Sequence, residues 1–267
     1  MTETSDAAET STANLMRAIG FTEARRDPRG RSTMSSLEAK RVLMIGGASG
    51  IGHEIGRRAA AEGAEVIVAG RNPEVVTVPR GGRSIHLDLG DEASIERAVY
   101  QLGAVDCLVV PAADHTNGPV ETLDADRIRR ALDAKVVGPI LLAKHFAPTM
   151  PKDGVIVLFS DVAASRPSAD LVVMATGNRA AEGLADALTI ELAPIRVVSI
   201  SLGIVDSGTY DSMGEDAKRR FLDAAAASNP VGRVGSPRDI AQVVLLALTN
   251  PFLTGTTLHV GGGRRVA

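Results

Sequence analysis

The sequence of 267 residues is poor in cysteine and in aromatic residues, with one cysteine, no tryptophan, two tyrosines and five phenylalanines. A single cysteine, Cys107, excludes an intrachain disulfide framework and a zinc site built from cysteines. There is no excess of positive charge either, since the formal net charge is −3, and this argues against a nucleic-acid partner. No apolar run reaches the roughly 18 residues that a membrane span needs, so we expect no membrane partner.

Residues 1–36 differ in composition from the rest of the chain. Residues 1–13 mix Thr, Ser, Ala and Glu without an apolar stretch, which predicts a disordered or loosely ordered tail. Because the apolar core of a secretory signal is missing, we expect a cytoplasmic protein. Two interpretations of the tail stay open: a dispensable extension, including a start at Met34, and a docking arm for a neighbouring subunit.

From Lys40 onwards, short apolar runs alternate with helical patterns. This alternation predicts a single α/β domain over residues 37–267, with helices on both faces of a mostly parallel sheet. The seven predicted strands are 41–46, 64–69, 84–87, 105–110, 155–159, 195–202 and 256–260. The main predicted helices are 50–62, 92–102, 123–149, 171–192 and 237–248, with a helical insertion within 206–230.

A glycine-rich turn, GGASGIG at residues 46–52, joins the first predicted strand to the first predicted helix. Glycines allow a tight turn whose backbone N–H groups approach a pyrophosphate, and the helix dipole favours the anion. This placement favours a dinucleotide site over the alternative of a purely structural turn. The predicted cofactor contacts in it are Gly46, Ser49, Gly50, Ile51 and Gly52.

Arg71 follows the second predicted strand, at a position where an acidic residue would select NAD. Arg71 could pair with the 2′-phosphate of NADP, helped by Ser49, and such a charge-assisted bond is worth about 1.5–3 kcal/mol. We therefore expect NADP(H) to bind about ten to a hundred times more tightly than NAD(H), unless Arg71 is merely solvated. Asp88, after the third strand, could accept from the adenine amino group or cap the following turn.

These motifs resemble the short-chain dehydrogenase/reductase family over residues 40–267. Further matches are Asp88 with Leu89, and residues 191–197, 203–207 and 254–263. The resemblance implies a Rossmann-type doubly wound fold, a bound NADP(H) and a small-molecule substrate. Relatives assemble through the two long helices, whose apolar residues cover more than one face here, so we expect a homodimer or homotetramer. The resemblance also implies cofactor contacts at Leu89, Ala112, Asn178, Gly203 and Val205.

The four positions that carry the family's chemistry are all replaced. In the family they hold asparagine, serine, tyrosine and lysine. Methionine at the tyrosine position has no proton to offer a developing alkoxide, so the family's alcohol–ketone chemistry is not expected. The residues at the four positions are, in that order, Lys135, Asp161, Met174 and Asn178.

Lys135 and Asp161 remain the catalytic candidates. A carboxylate beside the hydride would stabilise a cation such as an iminium carbon, whose reduction needs no proton donor. A divergent branch of the family that lacks the tyrosine–lysine pair is similar to this chain, and some of its members look like NADPH-dependent enzymes with an aspartate at the serine position.

Three interpretations stay open. The first is an NADP(H)-dependent oxidoreductase acting on an activated, iminium-type acceptor. The second is a cofactor-binding protein without catalysis, in which Lys135 and Asp161 form an ion pair that fills the cleft. The third is a non-redox lyase, isomerase or cyclase in which Lys135 tunes Asp161 as a base.

Few other side chains could donate a proton in a cleft. His115 follows the fourth predicted strand and could act as a donor or simply be solvated. The two tyrosines, Tyr100 and Tyr210, fall in the helix before that strand and in the insertion. No pair of histidines has the spacing of metal ligands, so no metal site is expected.

Overall fold

Seven strands form one sheet in the computed structural model, which describes residues 37–47 and 50–267. The strands are β1 Arg41–Ile45, β2 Glu65–Gly70, β3 Arg83–His86, β4 Cys107–Val110, β5 Val155–Asp161, β6 Arg196–Leu202 and β7 Thr256–Val260. Their order is β3-β2-β1-β4-β5-β6-β7, and every pairing is parallel. The direction of progression through the sheet reverses between β1 and β4, which makes this the topological switch point.

Helices connect the strands, and some of them begin at capping side chains. The Asp91 side chain accepts from the backbone N–H of Ala93, and Ser236 with Asp239 forms a capping box. Such caps satisfy N–H groups that have no partner within the helix. The α-helices of the described residues are α1 Gly50–Ala61, α2 Glu92–Leu102, α3 Ala125–Leu132, α4 Gly138–Phe146, α5 Val172–Glu191, α6 Glu215–Ser228 and α7 Pro237–Thr249. Short 3-10 turns lie at Pro73–Val75, Val120–Thr122, Ala147–Thr149, Val162–Ala164 and Asp211–Met213.

Both faces of the sheet are buried, which is why its central strands are continuous apolar runs. Successive residues of β1 point to opposite sides: Leu43 packs in the core under α2, α4 and α5, and Met44 packs in the core under α1 and α7. Phe146 of α4 is fully buried in the first of these cores. The predicted Rossmann-type doubly wound sheet is thereby confirmed.

The long helix predicted over 123–149 is wrong as one continuous element. It is divided into α3, a π-helical turn at Asp133–Val137, and α4. The cause is Pro139, because it has no N–H to donate to the carbonyl of Lys135 four residues earlier. The N–H of Gly138 bonds instead to the carbonyl of Asp133, five residues back.

The described residues belong to one compact unit, Ser35–Ala267. The tail and linker predicted at residues 1–36 lie outside the residues that the structure describes. In the described part of the chain, no helix is both long and apolar enough to cross a bilayer.

Candidate active site

A cleft of about 660 Å³ opens at the carboxyl ends of the central strands. It lies at the switch point between β1 and β4, where ligands of open α/β sheets bind. The glycine turn after β1 forms one side, and the segment after β6 forms the other. Lys135 and Asp161 lie between them in the lining.

The glycine turn leaves no space for side chains at two of its positions. A Cβ on Gly52 would overlap the Cα of Gly47, and a Cβ on Gly50 would lie 2.5 Å from the carbonyl oxygen of Ser207. Gly50 also has a φ of 58°, which favours glycine. Gly46, Gly50, Ile51 and Gly52 line the cleft. Ser49 falls outside the described residues, so its predicted contact stays a prediction.

The other predicted cofactor contacts divide into two groups. Ala112, Gly203 and Val205 line the cleft, where their small side chains leave it open. Leu89 does not line it, because it is buried against Gly138 at the start of α4. Asn178 lines a smaller adjoining cavity of about 30 Å³.

Arg71 and Asp88 lie at the β2–β3 side of the sheet. Arg71 directly follows β2 and is exposed. The N–H of Gly46 donates to Ala69 near the end of β2 over 2.8 Å, so the start of the glycine turn borders the strand that ends beside Arg71. Asp88 caps a turn, since its Oδ1 accepts from the N–H of Gly90 at 3.0 Å. Its adenine contact stays a prediction.

Lys135 lies in the π-helical turn, a feature that is frequent at functional sites. The aliphatic part of its side chain packs against α5. A Cβ atom added at Gly177 of that helix would lie 3.4 Å from the Cγ of Lys135. Burial lowers the pKa of its amine from 10.5 to about 8, although the negative charge of Asp161 opposes this shift. Among the described residues, no carboxylate oxygen lies within 4.0 Å of the amine. The ion pair considered for Lys135 and Asp161 is therefore not a contact pair.

Asp161 is the last residue of β5, and its carboxylate is held in place by the backbone. Its Oδ1 accepts from the N–H of Ala163 at 2.7 Å, which caps the short turn that follows. Burial raises the pKa of Asp161. The Ala163 N–H, the positive charge of Lys135 and the Asn178 amide all act in the opposite direction, because they favour the carboxylate.

Met174 and Asn178 lie one turn apart on α5, on the same side of the helix. Met174 lines the cleft but has no proton to donate. Asn178 is only 3% exposed, and its Oδ1 has no hydrogen-bond partner. Ser160 cannot take the place of a serine at position 161, since its hydroxyl donates to the buried Glu182 at 2.8 Å.

Tyr210 is a cleft residue that the sequence pattern does not assign. It follows β6 and lines the cleft, with its ring 4.7 Å from that of Phe221. Burial first, and then the charge of Asp161, raise the pKa of its phenol, which stays protonated. Lys218 holds this segment by ion pairs to Asp206 at 2.9 Å and Asp211 at 2.7 Å. The sequence signal that could have identified it was the presence of a tyrosine in the segment after β6.

His115 lies in the same lining, at the mouth of the cleft. Partial burial and the nearby Lys135 lower the pKa of its imidazole, so the neutral ring prevails near pH 7.

Away from the cleft, a carboxylate–histidine cluster joins α2 to α4. Ligand atoms of Glu92, Glu96 and His145 lie within 4.8 Å of one another. However, one oxygen of Glu92 already accepts from Lys144 at 2.6 Å and contacts His145 at 2.8 Å. The cluster is therefore an ion-pair network between two helices. The spacing of the histidines in the sequence does not indicate it, because only one of its residues is a histidine.

The fold and the cleft define a class: Rossmann-type α/β proteins with a glycine turn at the switch point. A family model described as enoyl-(acyl carrier protein) reductase matches residues 46–265. The human protein "Dehydrogenase/reductase SDR family member 4" is 30% identical over 94% of this chain and 93% of its own length. The chain belongs to the short-chain dehydrogenase/reductase family.

Solved structures agree with this assignment. A small-chain dehydrogenase in complex with NADPH is 33% identical, covers 86% of this chain and 100% of its own, and superposes with a TM-score of 0.77. The MalC Reductase/Diels-Alderase from Malbranchea aurantiaca is 25% identical, with a TM-score of 0.81 over 88% of this chain and 99% of its own.

Proposed function

We propose that this protein is an NADP(H)-dependent oxidoreductase that transfers hydride to an activated, iminium-type small molecule. The observation that carries the proposal is the Asp161 carboxylate, fixed by Ala163 in a cleft whose family tyrosine position holds Met174. Such a site favours a cationic acceptor and offers an alkoxide no proton from that position.

The residues present fit a nicotinamide dinucleotide. Because Gly50 and Gly52 have no room for side chains, backbone N–H groups of the turn can approach a pyrophosphate. The solved relative with bound NADPH supports the phosphorylated form, as does the exposed Arg71 beside the turn. When bound, the cofactor supplies the hydride.

The protein's own residues contribute charge and position. The Asp161 carboxylate stabilises the cation before reduction, and the Lys135 ammonium opposes protonation of that buried carboxylate. Lys135 is in this respect a tuning residue, because it acts on substrate through Asp161. The name of the MalC neighbour, a reductase and Diels-Alderase, supports redox chemistry on a related cleft.

The test measures NADPH-dependent reduction of a cyclic iminium salt, N-methyl-3,4-dihydroisoquinolinium. The reaction is monitored by the loss of dihydronicotinamide absorbance. Asp161→Asn is expected to lower the rate by about a hundred- to a thousandfold, since loss of one such electrostatic group costs about 2.7–4 kcal/mol. NADPH affinity should stay nearly unchanged.

The matched control is Asp126→Asn, an exposed aspartate on α3, which should react like the wild type. Equal rates in the wild type and Asp161→Asn would reject the role of Asp161. Tight NADPH binding without any reduction would favour a cofactor-binding protein without catalysis.

A further inference from the structure

Lys135 presents a primary amine to the cleft that no contact partner holds. It lines both the large cleft and the small cavity, together with Asp161 and Met174. Among the described residues, its side-chain amine makes no hydrogen bond and has no carboxylate oxygen within 4.0 Å. A lysine that served only as a counter-ion would be expected to touch its carboxylate.

We propose that Lys135 is a nucleophilic amine that condenses with the carbonyl group of a ketone, and that Asp161 removes a proton from the adjacent carbon. The substrate class is a β-dicarbonyl compound, in which a second carbonyl acidifies that carbon. This activity goes beyond the proposed hydride transfer and requires no nicotinamide.

The reaction balances as a condensation. The lone pair of the neutral Lys135 nitrogen attacks the carbonyl carbon, the C=O π electrons move to oxygen, and this oxygen takes a proton from the new ammonium group to give a neutral carbinolamine. A second proton, supplied by solvent, is added to the hydroxyl group; the C–O bond breaks, water leaves, and the nitrogen lone pair forms the C=N bond of an iminium cation. Asp161 accepts the proton from the adjacent carbon, and the C–H electrons neutralise the iminium to give an enaminone. Addition of water reverses the sequence and frees the lysine.

Burial makes the amine available near neutral pH. With a pKa of about 8, about a quarter of Lys135 is neutral at pH 7.5, against about a thousandth of a lysine with the usual pKa. The titratable groups that line the cleft or the small cavity with it are Asp161 from β5, Asp114 and His115 after β4, and Tyr210 and Asp211 after β6. The pKa of Asp161 is raised, which makes its carboxylate a stronger base.

The small cavity provides a place for the water that the condensation releases. Its volume of about 30 Å³ accommodates one water molecule. Asn178, whose buried Oδ1 has no hydrogen-bond partner, belongs to the lining of this cavity together with Lys135 and Asp161.

The experiment uses acetylacetone as the probe, with the full-length protein and without NADPH. Condensation with an amine gives an enaminone, whose near-ultraviolet absorbance reports the reaction. Peptide mass spectrometry then locates an adduct equal to one diketone less one water. We expect a single adduct on Lys135 at pH 7.5, formed about a hundred times faster than on the exposed Lys152.

Variants separate reactivity from folding. Lys135→Met and Lys135→Arg should lose the adduct, whereas Lys152→Met should keep it, and Asp161→Asn should slow its formation. The rate in the wild type should reach half its maximum near pH 8, which a merely structural lysine would not show. Cooperative thermal unfolding and retained NADPH binding of the Lys135 variants would establish that they fold.

Absence of an adduct on Lys135, or equal labelling of Lys152, would overturn the inference. Because NADPH is omitted, that failure leaves iminium reduction untouched. Conversely, a failure of iminium reduction with a normal adduct on Lys135 would reject only the hydride-transfer proposal.

Discussion

The two sides of the cleft depend on different physical terms. On the turn side, space is the constraint, because Gly50 and Gly52 lie so close to other backbone atoms that no side chain fits. On the reaction side, charge is the constraint, because Lys135 and Asp161 face each other without contact and shift each other's pKa. A steric constraint fixes residue type, whereas a charged site can change its chemistry while the backbone around it is retained.

The largest effect is expected from a side chain introduced on the turn side. Gly52→Val should lower NADPH affinity about a hundredfold or more, because the turn must move and each hydrogen bond to a charged group is worth about 1.5–3 kcal/mol. Fluorescence titration with NADPH measures this. Gly183→Ala on α5 is the control, since no atom lies within 4 Å of its added Cβ, and it should bind normally. If Gly52→Val binds NADPH as the wild type does, the steric account of this side is wrong.

A smaller effect is expected where charge acts on the turn side. Arg71→Asp should lower the preference for NADPH over NADH by about ten- to a hundredfold, because it replaces attraction of the 2′-phosphate by repulsion. Isothermal titration with both cofactors gives the ratio. Arg130→Asp, an exposed arginine on α3, changes the net charge equally and should leave the ratio unaltered. Equal NADPH and NADH affinities in the wild type would refute the role of Arg71.

On the reaction side, burial of the Lys135 ammonium should lower the free energy of unfolding, whereas no such cost is expected on the turn side. The folded pKa of Lys135 is about 8, below its usual 10.5, so the unfolded chain binds more protons between these values and this cost of burial falls as pH rises. Lys135→Met should therefore raise the free energy of unfolding by about 1–3 kcal/mol at pH 7.

That gain should shrink towards pH 10, where the wild-type amine is neutral in the folded state. Urea unfolding of both proteins at the two pH values measures the difference. A gain independent of pH would indicate better packing rather than relief of a buried charge.

Assembly is expected to affect the cleft least. Of the apolar residues on the long helices, Leu142 is buried in the core, while Ile140 and Val172 are 44% and 47% exposed. Light scattering should show a homodimer or homotetramer at micromolar concentration, because exposed apolar residues of this kind favour association. Ile140→Glu with Val172→Glu should shift it towards monomer, and a monomeric wild type would contradict the expectation.

The turn side of the site was predictable from sequence, and the reaction side only in part. Glycine spacing after an apolar strand is a local signal, so Gly46, Gly50 and Gly52 could be placed directly. The break at Pro139 was not predicted, because the helix over 123–149 was drawn through it, and its outcome as a π-helical turn depended on how Gly138 packs against Leu89.

Other features depended on contacts between distant parts of the chain. Tyr210 reaches the cleft because the segment after β6 folds back and packs against α6, which no short pattern encodes. The approach of Lys135 to Gly177 likewise joins two helices whose relative position follows from the sheet order. Local spacing in the sequence thus identified individual cleft residues, whereas the distances between those residues could be obtained only from the tertiary structure.

The π-helical turn has a consequence for how this site can be gained or lost. A π turn is an α-helix with one additional residue, which leaves the helices on either side in phase with their partners. Each residue of an α-helix advances the side-chain direction by about 100°. Because Pro139 would still lack an N–H in a regular helix, loss of one residue from Asp133–Val137 would restore that helix only together with replacement of this proline. The lysine would then turn from the cleft towards another face, while the sheet and the glycine turn stayed in place. Two small changes in one segment thus separate a chain that carries this amine in its cleft from one that does not.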